Sequence, residues 1–113
     1  MIPGIYHVTF VSPLQRDQGD GLAVVTAEKI NGGDLGYIYR GAFEVSGSKI
    51  VATLNIKRWN QYAVSIFGNI VEFDLKLEGQ VSGDSTTFSG SGFVVQNPQM
   101  QVTFSARRLD DAA

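Results

Sequence analysis

The sequence predicts an all-β fold, an antiparallel up-and-down barrel of about eight strands, and three observations carry that expectation. Apolar and polar residues alternate with a period of two along most of the chain, the pattern of strands with one face in water and one in a core. The alternating runs are closed by Gly- or Pro-containing turns at intervals of roughly 10 to 15 residues. No segment of useful length shows helical spacing. Joining the ends of such a meander removes the exposed edges that invite aggregation, so closure is expected, with a two-sheet sandwich as the rival arrangement.

The first strand is predicted over about Gly4 to Val11, with Tyr6, Val8 and Phe10 on one face and His7 and Thr9 on the other; Ser12-Pro13 stops it. A polar loop, Gln15 to Asp20, leads past Gly19 and Gly21 to a second strand, Leu22 to Ala27, that is apolar on both faces. Burial on both sides would follow if its outer face met another subunit. Asn31-Gly32-Gly33-Asp34 reads as a tight hairpin turn, because Asn-Gly and Gly-Gly accept positive φ. The third strand, Tyr37 to Val45, places Tyr37, Tyr39, Phe43 and Val45 on one face, interrupted by Gly41, and Ile38, Arg40, Ala42 and Glu44 on the other. Ser46-Gly47-Ser48 turns the chain.

In the fourth strand, Ile50 to about Arg58, alternation turns Ile50, Ala52, Leu54 and Ile56 inward. A short fifth strand is predicted over Tyr62 to Phe67, broken at Gly68-Asn69. The sixth, Glu72 to Val81, alternates most regularly: Val71, Phe73, Leu75 and Leu77 are apolar, Glu72, Asp74, Lys76 and Glu78 polar, and Ser82-Gly83-Asp84 turns. The seventh, Thr86 to Val95, carries Thr86, Phe88 and Val94 on one track with Gly90 and Gly92 between them, and Asn97-Pro98 is expected to end it. The eighth, Met100 to Arg108, turns Met100, Val102, Phe104 and Ala106 inward, and Asp110 to Ala113 is a frayed tail. Inward glycines at 41, 79, 90 and 92 allow strands to coil sharply and leave interior space, which pushes a small barrel toward holding one ligand.

Composition narrows the function. A chain of 113 residues suits one domain with its own core. It contains no cysteine, so neither disulfides nor thiolate metal sites arise. No signal-peptide pattern or long apolar run is present, so a soluble protein of the cytoplasm, without a membrane partner, is expected. With a net charge of −2 and few clustered cations, direct nucleic-acid binding is disfavoured.

The constellations that carry catalysis are absent. His7 is the single imidazole, which excludes a two-histidine metal site and leaves a surface histidine. Glu72, Asp74 and Glu78 share a strand face with Lys76 and read as a solvated surface rather than paired acids. Ser89-Gly90-Ser91-Gly92 lacks the spacing of a nucleophile elbow, and Gly19-Asp20-Gly21 that of a dinucleotide loop. Lys57-Arg58-Trp59 is one basic aromatic cluster, short of a stacking platform for single strands. No catalytic residue, metal or cofactor is therefore assigned. Candidate cavity-lining residues are Tyr37, Tyr39, Phe43, Leu54, Phe73, Leu75, Phe88, Met100 and Phe104. The candidate protein interface is Ala23, Val25, Ile38 and Arg40.

The run Gly32-Gly33-Asp34-Leu35-Gly36-Tyr37-Ile38-Tyr39-Arg40-Gly41 resembles a signature of the GrlR-like proteins, a family named for a negative regulator of type III secretion genes. The likeness spans nearly the whole chain: Gly4-Ile5-Tyr6-x-Val8-x-Phe10, Gly19-x-Gly21, Ser65-x-Phe67-Gly68, Leu75-x-Leu77-x-Gly79 and Phe104-x-x-Arg107 also match. The resemblance implies an eight-stranded, lipocalin-like barrel, a homodimer and an apolar cavity. For the founding regulator it implies repression through a transcriptional activator protein rather than DNA. One departure is visible: that regulator carries an acidic Glu-Asp-Glu-Asp surface loop, whereas the corresponding hairpin here, Ser46-Gly47-Ser48-Lys49, has no carboxylate. The expected function is a non-enzymatic regulator that binds a protein partner. The alternative is a carrier or sensor of a small apolar ligand.

Overall fold

The computed structural model describes residues 2–13, 17–63, 65 and 70–113. Eight strands follow in order: β1 (Gly4–Ser12), β2 (Asp17–Thr26), β3 (Lys29–Gly33), β4 (Tyr37–Ser46), β5 (Lys49–Arg58), β6 (Glu72–Val81), β7 (Thr87–Val94) and β8 (Asn97–Asp110). Each pairs antiparallel with the next, and β8 returns to β1, with Phe104 opposite Phe10 and Ala106 opposite Val8, so the sheet is a closed barrel. This is the predicted all-β, up-and-down architecture of eight strands.

Alternation places the core as expected from a period of two. In β5, Ile50, Ala52, Leu54 and Ile56 are buried, while Lys49, Thr53 and Lys57 face water. Tyr6, Val25, Phe43, Val94 and Ala106 are buried with them, and Tyr6 and Val25 expose no surface at all. Burial of such side chains contributes roughly 1.5 to 3 kcal/mol each. Val45 and Val71, assigned inward by alternation, are 40% and 51% exposed.

Four elements differ from the sequence reading. Asn31-Gly32-Gly33 is not the turn but the end of β3, paired with Val24, Ala23 and Leu22. The turn is Asp34-Leu35-Gly36. The glycine at 32 serves close approach: a Cβ there would lie 2.0 Å from the Leu22 carbonyl oxygen. Of the expected loop before the second strand, residues 17–20 already belong to β2, and residues 15 and 16 lie outside the described residues. In the proposed fifth strand, Tyr62 is in a turn, Ala63 is irregular and Ser65 forms an isolated bridge; residues 64 and 66–69 lie outside the described set. Finally, Asn97-Pro98 opens β8 instead of ending β7, and the register shifts between Phe93 and Val94. Proline is tolerated at the start of a strand, where its missing N–H need not join the ladder.

The up-and-down order divides the connections between two ends. The β1–β2, β3–β4, β5–β6 and β7–β8 connections share one end; the chain termini and the remaining connections share the other.

Candidate functional site

Where two inward rows meet, several positions carry no side chain. Gly79 faces Gly90, Gly92 faces Leu77 and Gly90 also faces Phe104. The barrel holds a cavity of about 580 Å³, whose lining does not include these glycines, within the range of roughly 300 to 1,000 Å³ that small-molecule sites occupy. Aromatic rings form much of its wall. Phe10 meets Tyr39 edge-on at 6.1 Å, Phe88 meets Phe104 at 6.1 Å, and Tyr37 tilts against Phe73 at 6.3 Å between centroids. Such geometries are the favoured ones for aromatic quadrupoles.

Of the nine residues expected to line a cavity, Tyr37, Tyr39, Leu54, Phe73, Leu75, Phe88 and Phe104 border it. Phe43 does not: it is buried in the core opposite Ala52, which itself lines the cavity. Met100 packs against that core without reaching the cavity. Val8, Phe10, Ile30, Ile50, Ala52 and Ile56 also line it. Alternation marks these six as inward or apolar, but depth along the barrel depends on register, which is not a local property.

One polar arrangement was not anticipated. Asp34, in the β3–β4 turn, borders the cavity, and its Oδ1 accepts hydrogen bonds from the backbone N–H groups of Gly36 and Tyr37, both at 2.8 Å. The Tyr39 hydroxyl donates to Oδ2. Burial, and then the Asp34 carboxylate beside it, push the Tyr39 phenol well above its ordinary range, so it stays protonated. The Trp59 indole N–H donates to the Asp34 carbonyl at 3.1 Å, and the Asn60 amide donates to the Leu35 carbonyl at 3.1 Å. The backbone N–H of Trp59 reaches the Gly36 carbonyl at 2.9 Å. Asp34 to Tyr37, with Tyr39, the middle of the run from Gly32 to Gly41, thus border the cavity. An Asp two residues before a Gly was the available signal, since Asp side chains bond their own backbone two residues on.

The four candidate interface residues separate. Ala23 and Val25 are 4% and 0% exposed because they face the interior of the monomer, so they are corrected out of an outer surface. The outward members of β2 are Leu22, 50% exposed, and Val24. Ile38 and Arg40 do lie on the outside, with Ile38 in the same cross-strand row as Leu22 through Gly33. His7 also faces outward and pairs with Asp20 at 2.8 Å. Among the described residues no group of three or more His, Cys, Asp or Glu side chains is arranged to hold a metal ion. None of their helices is long and apolar enough to cross a membrane.

Fold and site together define a small, closed up-and-down β-barrel around an apolar, ligand-sized cavity. Within that class the chain belongs to the GrlR family: the family model described as T3SS negative regulator, GrlR matches residues 1–111. No curated protein sequence matches the chain.

Proposed function

We propose that this protein is a non-enzymatic negative regulator of type III secretion gene expression that acts in the cytoplasm by binding a regulatory protein, as a homodimer. The observation that carries the reading is the family match over residues 1–111. The outer barrel face supports it: Leu22 and Ile38 are 50% and 38% exposed and flank Gly33, which adds no side chain between them, so the two form a shallow apolar patch beside Arg40. A patch of apolar residues with an adjacent arginine has the composition of a protein interface core. The hairpin around Gly47 has no carboxylate to offer a basic partner, which makes this patch the better docking surface.

The test is repression of a type III secretion reporter, read together with co-purification of the transcriptional regulator encoded with those genes. Wild-type protein is expected to repress and to retain the regulator, and Leu22→Glu/Ile38→Glu to lose both while keeping its β-sheet circular dichroism. Full repression by the charged variant, or retardation of promoter DNA by the purified protein alone, would overturn the reading.

The cavity supports a second role, carriage or sensing of a small apolar ligand. Its volume of about 580 Å³ would take on the order of twenty heavy atoms, at roughly 30 Å³ each, the share of one molecule in liquid water. Native mass spectrometry of gently purified protein should show a bound apolar mass.

A further inference from the structure

We infer that the outer face of β2 to β5 docks a short amphipathic helix of the protein partner, apolar on one face and acidic along its edge. The helix lies on Leu22, Val24 and Ile38 and meets a diagonal line of cations, Lys29, Arg40 and Lys57. This deepens the partner-binding reading and rests on it.

Register builds the pattern. Leu22, Gly33, Ile38 and Lys57 form one outward row, Val24, Asn31 and Arg40 the next, and Thr26 and Lys29 the third. Each row reaches its cation one strand sooner than the row before, so the three charges run diagonally across β5, β4 and β3. Neighbouring strands lie about 4.8 Å apart and alternate residues of a strand about 6.7 Å, which spaces successive cations by about 8 Å. The triangle on one side of the line holds Leu22, Val24 and Ile38 around Gly33 and contains no carboxylate. All three cations are exposed, and none forms an ion pair with a described carboxylate.

The acids around this face are engaged elsewhere or lie beyond its corners. Glu72, opposite Lys57, accepts from the Asn55 amide at 3.1 Å; Asp74 accepts from it at 3.0 Å and from the Gln96 amide at 2.9 Å. Asp20, past Leu22 on β2, contacts His7 at 2.8 Å, and Glu28 and Glu44 lie past the Lys29 end of the line. Charge complementarity therefore selects an acidic segment. The line from Lys29 to Lys57, about 16 Å, matches about three turns of helix. Apolar anchors at helical spacing fill the hollow that Gly33 leaves between Leu22 and Ile38. A phosphate backbone would leave the apolar triangle bare, and a second copy packed about a two-fold axis would set these cations against themselves.

The experiment titrates the full chain with the purified transcriptional regulator encoded with the type III secretion genes and reads the Kd by calorimetry. Arg40→Glu/Lys57→Glu is expected to weaken binding about tenfold or more, a factor of ten being about 1.4 kcal/mol. Lys49→Glu/Lys76→Glu makes the same change of charge off the line and is expected to stay within about threefold of wild type. Carbodiimide, which joins an amine to a carboxylate in contact, is expected to link Lys29 and Lys57 to Asp or Glu residues of one regulator segment. Absence of wild-type binding, or undiminished binding by Leu22→Glu/Ile38→Glu, overturns the partner-binding reading itself. Binding that Leu22→Glu/Ile38→Glu loses but Arg40→Glu/Lys57→Glu keeps overturns the acidic helix alone. Equal loss in the off-line variant marks a general charge effect and overturns it as well. So does a wild-type dimer that Arg40→Glu/Lys57→Glu splits, which gives the face to a second copy, or phosphatidylglycerol vesicle binding that it abolishes while the regulator stays bound. Circular dichroism checks that each variant folds; should the reversal not fold, Arg40→Gln/Lys57→Gln decides, with a loss of about threefold or more expected and an unchanged Kd counting against the inference.

Discussion

Gly36 lies against Ala63 so closely that a Cβ at position 36 would stand 2.4 Å from the Ala63 methyl carbon, with its next contact only at 3.8 Å. The β3–β4 turn and the chain after β5 are therefore packed together at the edge of the cavity through one missing methyl. Gly36→Ala is expected to cost about 1 to 3 kcal/mol from overpacking. Because Ala63 is the near obstacle, Ala63→Gly in the same chain should recover most of that loss. Urea denaturation of the two single variants and the double variant gives the coupling, and additive losses would show that the clash is not the cause.

Gly90 is a stricter case, since what it approaches is backbone. A Cβ there would lie 1.9 Å from the Glu78 carbonyl oxygen and 2.5 Å from the Gly79 Cα. Neither can turn aside as a side chain would, so Gly90→Ala is expected to destabilise by about 3 kcal/mol or more and to loosen β6 from β7. Amide hydrogen exchange along Glu78 to Val81 is the readout. Gly47→Ala, by contrast, meets no atom within 4 Å but holds φ at 62°, so its cost should stay near 1 kcal/mol and be conformational.

The contact between Tyr39 and Asp34 makes stability depend on alkaline pH. Tyr39 binds its proton more tightly when folded, from burial first and Asp34 second. A raised folded pKa stabilises the native state fully below the unfolded value of about 10 and progressively less as pH climbs above it. Tyr39→Phe removes the hydrogen bond, a loss of about 1 kcal/mol at neutral pH. It also removes the titration, so its deficit against wild type should narrow above pH about 10. Tyr6, raised by burial and partly offset by Arg108, adds to the general alkaline loss in both proteins. A deficit that stays constant through that range would contradict the assignment.

At the opposite end of the barrel, Asp84 organises the β6–β7 turn. Its Oδ1 accepts from the Ser82 hydroxyl at 2.6 Å, the Thr86 hydroxyl at 2.8 Å and the Thr86 N–H at 3.1 Å. These bonds hold its carboxyl at about 2, below the ordinary carboxylate range. The stabilisation is present above the unfolded value and is lost as pH falls toward 2. Carboxyl carbon NMR should show that midpoint, and Ser82→Ala should raise it.

Some of this was legible in the residues and some was not, for a consistent reason. The inward faces of β5 and β6 follow from alternation alone, because successive side chains on a strand point to opposite sides whatever the strand pairs with. Gly32 and Gly33 were misread as a turn because glycine serves both positive φ and close backbone approach, and only the pairing of β3 with β2 distinguishes them. Ala23 and Leu22 are equally acceptable to either face by composition. Register with Tyr6 and Gly33 decides that Ala23 goes in and Leu22 out. Phe43 and Met100 pack with the core and lie outside the cavity lining, which alternation alone does not distinguish.

The order of apolar and polar residues determined the class of the molecule by itself: strands, their inner faces, a meander of hairpins and, through the run from Gly32 to Gly41, the family. The tertiary structure alone decided which inner residues enclose empty volume and which fill the core, and it alone brought Asp34 to Tyr39, Gly36 to Ala63 and Phe10 to Phe104. The first set is dictated by each residue's neighbours in the chain. The second depends on which strands pair and at what register, from the β3–β4 hairpin that brings Asp34 to Tyr39 to the closure of β8 on β1 that sets Phe104 opposite Phe10.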